Sequence, residues 1–170
     1  DVYKRQYPSR SILPFLNERN EKNTIELDST YLHGVGKEGF ICPKQERRGD
    51  TLSKCNVFRY HDFVYNPSVL YAGAIALNFD YEVAICTEEY VVFHIKDETV
   101  LRPEYLFLWI KRDECGRFID FSSVDSVRNR VYFGDLSMIK IPVPPIEKQN
   151  YVSELFNAYN NRKIKCKELK

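Results

Sequence analysis

Three histidines (His33, His61 and His94) and five cysteines (Cys42, Cys55, Cys86, Cys115 and Cys166) are the side chains of this sequence best suited to nucleophilic, acid–base or metal chemistry. Asp62 adjoins His61 and Cys55 is near in sequence, so a thiol activated by an imidazole and a carboxylate can be imagined. Adjacent residues of an extended segment point to opposite faces, however, so Asp62 is badly placed to orient His61. No Cys-x-x-Cys pair occurs, the number of cysteines is odd, and no ligand spacing joins the histidines. The expectation is therefore reduced, mostly buried thiols, with no disulfide framework and no structural zinc. Gly34-x-Gly36-x-x-Gly39 has the spacing of a dinucleotide-binding turn. It runs on to Pro43 instead of opening a helix, so the strand–turn–helix unit that such a turn serves is missing.

A different chemistry, hydrogen bonding to base edges, needs Arg or Lys for guanine, Asn or Gln for adenine, and Ser or Thr for either. These side chains must sit on loops held by a rigid core, beside phosphate contacts that set register. Two segments have this composition. The first, in the hydrophilic stretch from Pro43 to Lys54, offers Lys44, Gln45, Arg47, Arg48, Thr51, Ser53 and Lys54; the second offers Ser122, Ser123, Ser126, Arg128, Asn129 and Arg130. For any one of them, plain solvation is the simpler account. Tyr65-Asn66-Pro67-Ser68 is similar in part to the Asn-Pro-Pro-aromatic loop of adenine methyltransferases, but the second proline and the aromatic are absent, and no glycine-rich cofactor loop precedes it.

The elements that must carry these loops are legible in outline. Of 170 residues 44% are hydrophobic, and aromatics reach 14%, with 12 Tyr and 11 Phe, which favours a sheet-rich domain of ordinary globular size. No apolar run approaches the ~20 residues that span a bilayer, and the expected setting is cytoplasmic. The net charge of +1 hides an uneven distribution: residues 61–100 hold one basic side chain, Lys96, against seven acidic ones. Basic groups therefore concentrate elsewhere, as a surface meeting phosphate requires. Residues 1–10 lack periodicity and are expected outside the fold. Ile12–Leu16 is a short apolar patch, Asn17–Asn23 a polar loop, and Leu32–Ile41 a strand-and-turn segment. Val57–Tyr65, Gly73–Phe79, Val83–Cys86, Tyr90–Ile95, Val131–Phe133 and Ile139–Val143 read as strands. Pro103–Arg112 reads as a helix ended by Cys115-Gly116, and Ser122–Asn129 as a polar loop. After Pro144-Pro145, Val152, Leu155, Phe156 and Tyr159 recur at i, i+3, i+4 and i+7, one apolar stripe on a second helix.

The order of these pieces carries a resemblance. Phe63-Val64-Tyr65-Asn66-Pro67, then Gly73-Ala74-Ile75-Ala76-Leu77-Asn78, then Glu89 to Phe93, then Leu101-Arg102-Pro103-Glu104-Tyr105-Leu106, then Arg130 to Leu136, and finally Ile141-Pro142-Val143-Pro144-Pro145-Ile146-Glu147-Lys148-Gln149 follow one another as in the specificity subunit of type I restriction–modification systems. The sequence resembles one target recognition domain followed by the start of a conserved spacer helix, where the family usually has two of each.

The fold so implied is α+β, a twisted and largely antiparallel sheet with a few helices over residues 11–145, followed by a protruding coiled-coil-type helix from 146 to 170. The function implied is reading one half of a bipartite double-stranded DNA target in phage defence, without catalysis of its own. S-adenosylmethionine, ATP and Mg belong, on this resemblance, to partner subunits: methyl transfer to the modification subunit, translocation and cleavage to the restriction subunit, in a bacterial or archaeal cytoplasm. The reading side chains would be Lys44, Gln45, Arg47, Arg48, Lys54, Ser123, Arg128, Asn129 and Arg130. Val152, Leu155, Phe156 and Tyr159 would, on this resemblance, meet a second spacer helix, from another copy or from the other half of the subunit; the stripe by itself fits equally a helix folded back on the core of its own domain. Two alternatives stay open: the same module detached from a single-chain methyltransferase–nuclease, and a protein-interaction module with no DNA contact.

Overall fold

A computed structural model describes residues 7–42, 52–123 and 130–168. Its central layer is a four-stranded antiparallel sheet in the order β2 (Leu16–Glu18), β9 (Val91–Ile95), β6 (Phe63–Tyr65), β7 (Ile75–Leu77). Side chains alternate across a strand, and here both faces are covered. Phe63, Tyr65, Ile75, Leu77, Phe93 and Ile95 point to one face, while Val64, Ala76 and Val92 point to the other. Phe63 stands opposite both Leu77 and Phe93 in the register, and its ring stacks on Phe93 with centroids 4.7 Å apart.

The first face carries helices. Pro103 opens α1 (Pro103–Ile110), where its missing N–H costs nothing, and Glu104 in the first turn favours the helix dipole. Leu101, Tyr105, Leu106 and Ile110 join the sheet side chains in the main core, together with Ile119 of α2 (Asp113–Ser123). The opposite face carries a two-stranded sheet, β5 (Asn56–Arg59) with β8 (Val83–Cys86), and the hairpin β3 (Gly34–Gly36) with β4 (Gly39–Ile41). Phe58, Ala84 and Cys86 face the central sheet, and Val57 and Ile85 form a third small cluster with Leu32 and Cys55. Among the described residues the named strands pair antiparallel in four sheets, and a single parallel bridge joins Leu32 to Ile85.

Several sequence expectations are corrected. Ser9 and Arg10 lie inside the fold: β1 (Ser9–Ser11) pairs with β10 (Lys140–Pro142), a ladder anchored by fully buried Ile12, whose amide donates to Ile139 O. Asn17 and Glu18 belong to β2 instead of a loop, because an edge strand can leave polar side chains in water. Cys115-Gly116 does not end a helix. The chain breaks at Lys111–Arg112 and restarts as α2, with both residues inside it. Gly116 is there for close approach, since a Cβ would lie 2.4 Å from the carbonyl oxygen of Tyr71. Ser122 and Ser123 are helical, being the last residues of α2. Val131–Phe133 is no strand, because Tyr132 enters a 3₁₀ helix (Phe133–Met138) in which Asp135 returns its carboxylate to the Tyr132 amide.

The last helix, α3 (Ile146–Glu168), begins directly after Pro144-Pro145. Its 23 residues span about 34 Å at 1.5 Å each, against 8 residues for α1. With Ser153 on Glu104 and Phe156 on Phe107, it runs past the end of α1. Asn157, Ala158, Tyr159, Asn161, Arg162 and Lys163 are all exposed.

Candidate nucleic-acid interface

The motif Phe63 to Pro67 turns out to be an anchor. The Tyr65 hydroxyl, wholly buried, donates to Val131 O at 2.9 Å, and burial pushes its pKa far up, so it stays a donor. Asn66 accepts from the Ser68 amide, an Asx turn, and Pro67 O receives the Val131 amide at 3.0 Å. Both backbone groups of Val131 are thus pinned to β6 and its turn. Arg130, half-buried, is held next to that clamp. Asn78, the last residue of the second motif, is fully buried and makes four side-chain bonds: it donates to Arg59 O and Tyr81 O, and accepts from the Asp80 and Tyr81 amides. A side chain so employed holds a turn and is unavailable to a ligand.

The nine expected reading residues divide as follows. Lys44, Gln45, Arg47, Arg48, Arg128 and Asn129 lie outside the described residues. Lys54 is exposed in the turn before β5; its carbonyl and the Asn56 side chain both accept from the Lys22 ammonium, at 3.2 and 2.7 Å. Ser123 is the last residue of α2, and Arg130 resumes the chain beyond it. Lys54 and Arg130 are thus carried by different elements, one ahead of β5 and the other at the Val131 clamp.

A charge network that sequence reading missed surrounds Asp62, itself 1% exposed. Arg19 grips it with Nε at 2.6 Å and an η nitrogen at 3.1 Å, and the Arg59 amide donates to it at 2.7 Å. Arg59 in turn binds Glu21 and holds that carboxyl below the usual range. Arg19 and Asp62 are 43 residues apart, and nothing in local spacing joins them. His61 turns away in a left-handed conformation (φ 65°), its Nδ1 2.9 Å from Glu98. The imagined His61–Asp62 pair is therefore absent, for a reason of turn geometry as much as strand alternation. Cys55 is buried in the third cluster, with Leu32, Val57 and Ile85. Among the described residues no group of three or more His, Cys, Asp or Glu side chains could hold a metal ion.

The apolar stripe of α3 is split. Phe156 packs between Phe79 (5.7 Å) and Phe107 (5.8 Å), and Val152 is half-buried in a groove with Tyr105, Leu108, Trp109 and Arg112. Leu155 and Tyr159 stay 56% and 64% exposed and align with Tyr151 at i, i+4 and i+8. Polar side chains seat the helix. Gln149, fully buried, accepts from the Arg102 amide and donates to Val100 O and Pro144 O, and Ser153 donates to the buried Glu104 carboxylate at 3.0 Å.

Fold and site together define a mixed α+β domain built on an antiparallel sheet, with a long helix docked on it by its first turns. The chain belongs to the family of type I restriction modification DNA specificity domains, whose family model matches residues 18–170. Two solved structures share its fold. One, from work on complex assembly and conformational transition of the type I R-M system, aligns with TM-score 0.59 and 19% identity over 96% of this chain. The other, the HsdS subunit from Thermoanaerobacter tengcongensis, aligns with TM-score 0.58 and 20% identity over 95%. The chain spans only 41% and 40% of those two structures. Comparison with curated proteins gives no match.

Proposed function

We propose that the chain reads one half of a bipartite double-stranded DNA target for a type I restriction–modification complex, and that it carries out no chemical step itself. The observation that supports this most is the specificity-domain match over residues 18–170, coinciding with a fold that pins the chain beside Arg130 at both backbone groups of Val131. Base readout rewards such pinning, because a preorganised loop loses little entropy on binding. The reading side chains are the nine named from the sequence: Lys44, Gln45, Arg47, Arg48, Lys54, Ser123, Arg128, Asn129 and Arg130. Tyr151, Leu155 and Tyr159 form the α3 face that a second spacer helix would cover, and the modification and restriction subunits are the partners. Methyl transfer from S-adenosylmethionine and ATP- and Mg-dependent translocation would lie with those subunits. The setting is the cytoplasm of a bacterial or archaeal cell; among the described residues no helix is long and apolar enough to cross a membrane.

Sequencing the methylome of a host that expresses this chain with its modification subunit tests the reading. A bipartite methylated motif should appear, and one half of it should change when residues 11–145 are exchanged for another recognition domain. Methylation indifferent to that exchange would refute it.

A further inference from the structure

Three lysines from three distant parts of the chain converge where α3 leaves the domain. Lys111, at the C-terminal end of α1, is half-buried and donates to Lys37 O at 2.5 Å and Gly73 O at 2.9 Å, while its ammonium lies over the Phe107 ring at 5.8 Å. These bonds tie the tip of the β3–β4 hairpin, where Lys37 is exposed, to the end of α1. From the other side, α3 runs parallel to α1, with Ser153 on Glu104 and Phe156 on Phe107. Seven residues after Phe156, Lys163 returns to the same face of the helix, and helical side chains lean toward the N-terminus, back toward Lys111. Burial lowers the Lys111 pKa first of all; Glu38 opposes this, and the charges of Lys37 and Lys163 add to it, as three ammonium groups sharing one neighbourhood require. The hairpin supplies one carboxylate, Glu38, against them.

We propose that Lys37 and Lys163, beside the fixed ammonium of Lys111, form a contact site for the phosphodiester backbone of duplex DNA where α3 passes the end of α1. The proposal rests on the DNA-reading function given above and adds to it a backbone contact made by residues outside both base-reading segments. The arrangement suits a phosphate because Lys111 is spent on two carbonyls and serves as a fixed charge, whereas Lys37 and Lys163 are exposed and keep their donors for oxygen ligands. It also places positive charge on the spacer helix where it passes the end of α1, so a duplex lying along the domain would be registered against the helix that sets the distance to the second half-site. Such contacts carry affinity and salt dependence without sequence preference.

The test is the salt dependence of duplex binding by the full chain, wild type against the K37Q/K163Q double variant, with K140Q on the exposed edge of β10 as control. Removing one neutralised phosphate makes log K against log [salt] shallower by about 0.9, so the double variant should lose about two units of slope. Its binding at about 0.15 M salt should weaken by roughly tenfold to thirtyfold on cognate and scrambled duplexes alike, with an unchanged melting temperature. An unchanged slope in the double variant overturns this site while leaving the reading function intact, as does an equal loss in K140Q, which would mark diffuse charge. Retained duplex binding with lost recruitment of the modification subunit also overturns it, by showing that the patch meets an acidic protein surface. A wild type that binds no duplex removes both inferences together.

Discussion

At the scale of single residues, the buried His33 and the half-buried His94 act on structure, and their titration is readable in stability. His33 is 7% exposed, its ring stacked on Tyr81 at 4.3 Å and edge-on to Phe40 and Phe58. Burial holds its pKa below the ordinary imidazole value of 6.5. His94 is shifted the same way, by burial first and the neighbouring Arg19 next, against the pull of Asp62. The unfolded chain therefore takes up these protons at a higher pH than the folded one, and stability present above 6.5 is lost as the pH falls toward the folded values. Urea titrations between about pH 7.5 and 5 should show a declining midpoint, and His33→Phe, which keeps a ring against Tyr81, should flatten part of that decline. An identical acid limb in the variant would assign the loss to other groups.

At the scale of elements, the joint between α3 and the domain is polar on one side and aromatic on the other. Gln149, itself fully buried, supplies three bonds to backbone groups, the one to Pro144 O being buried, so Gln149→Leu should cost about 2–4 kcal/mol in chemical denaturation, as orphaned buried groups do. The split stripe separates two effects that its spacing alone merged. Phe156→Asp buries a carboxylate among Phe79 and Phe107 and should lower stability by about 3 kcal/mol or more. Leu155→Asp, on the exposed face, should leave the melting temperature within a degree or two. It should, however, reduce self-association or subunit recruitment in sedimentation or co-purification. A large loss of stability in Leu155→Asp would mean that this face also packs on its own domain.

For the whole molecule, burial sorts the five thiols into classes. Cys42 and Cys166 are exposed, Cys115 is half-buried with its pKa pushed up to about 11, and Cys55 and Cys86 are buried, Cys86 with its thiol pushed far up by desolvation. The thiolate is the reactive form, so native alkylation followed by intact-mass analysis should modify two cysteines quickly and the others slowly. Denatured alkylation should reach all five. Fewer than five after denaturation, or stoichiometric zinc by elemental analysis, would show a disulfide or a metal site. The acidic tract from 61 to 100 contains the two central strands β6 and β9 together with β7 and β8. Its lone lysine, Lys96, donates to Pro14 O.

Periodicity and punctuation are local, and they were enough to show the α+β class, strands around Phe63–Tyr65 and Val91–Ile95, the Pro103 start of α1 and the helix after Pro144-Pro145. They also carried the family resemblance, since motif order survives in one dimension. What they could not show is which surface meets which. A period of 3.6 defines the stripe Val152, Leu155, Phe156 and Tyr159, but only α1 and Phe79, packed against it, decided that Phe156 faces inward and Leu155 and Tyr159 face out. Gly116 reads as a helix stop until the Tyr71 carbonyl is found where its Cβ would be. Arg19 and Asp62, and the lysines at 37, 111 and 163, are partners across tens of residues, and charge pairing at that range is set by chain crossing in space, which tertiary packing alone determines.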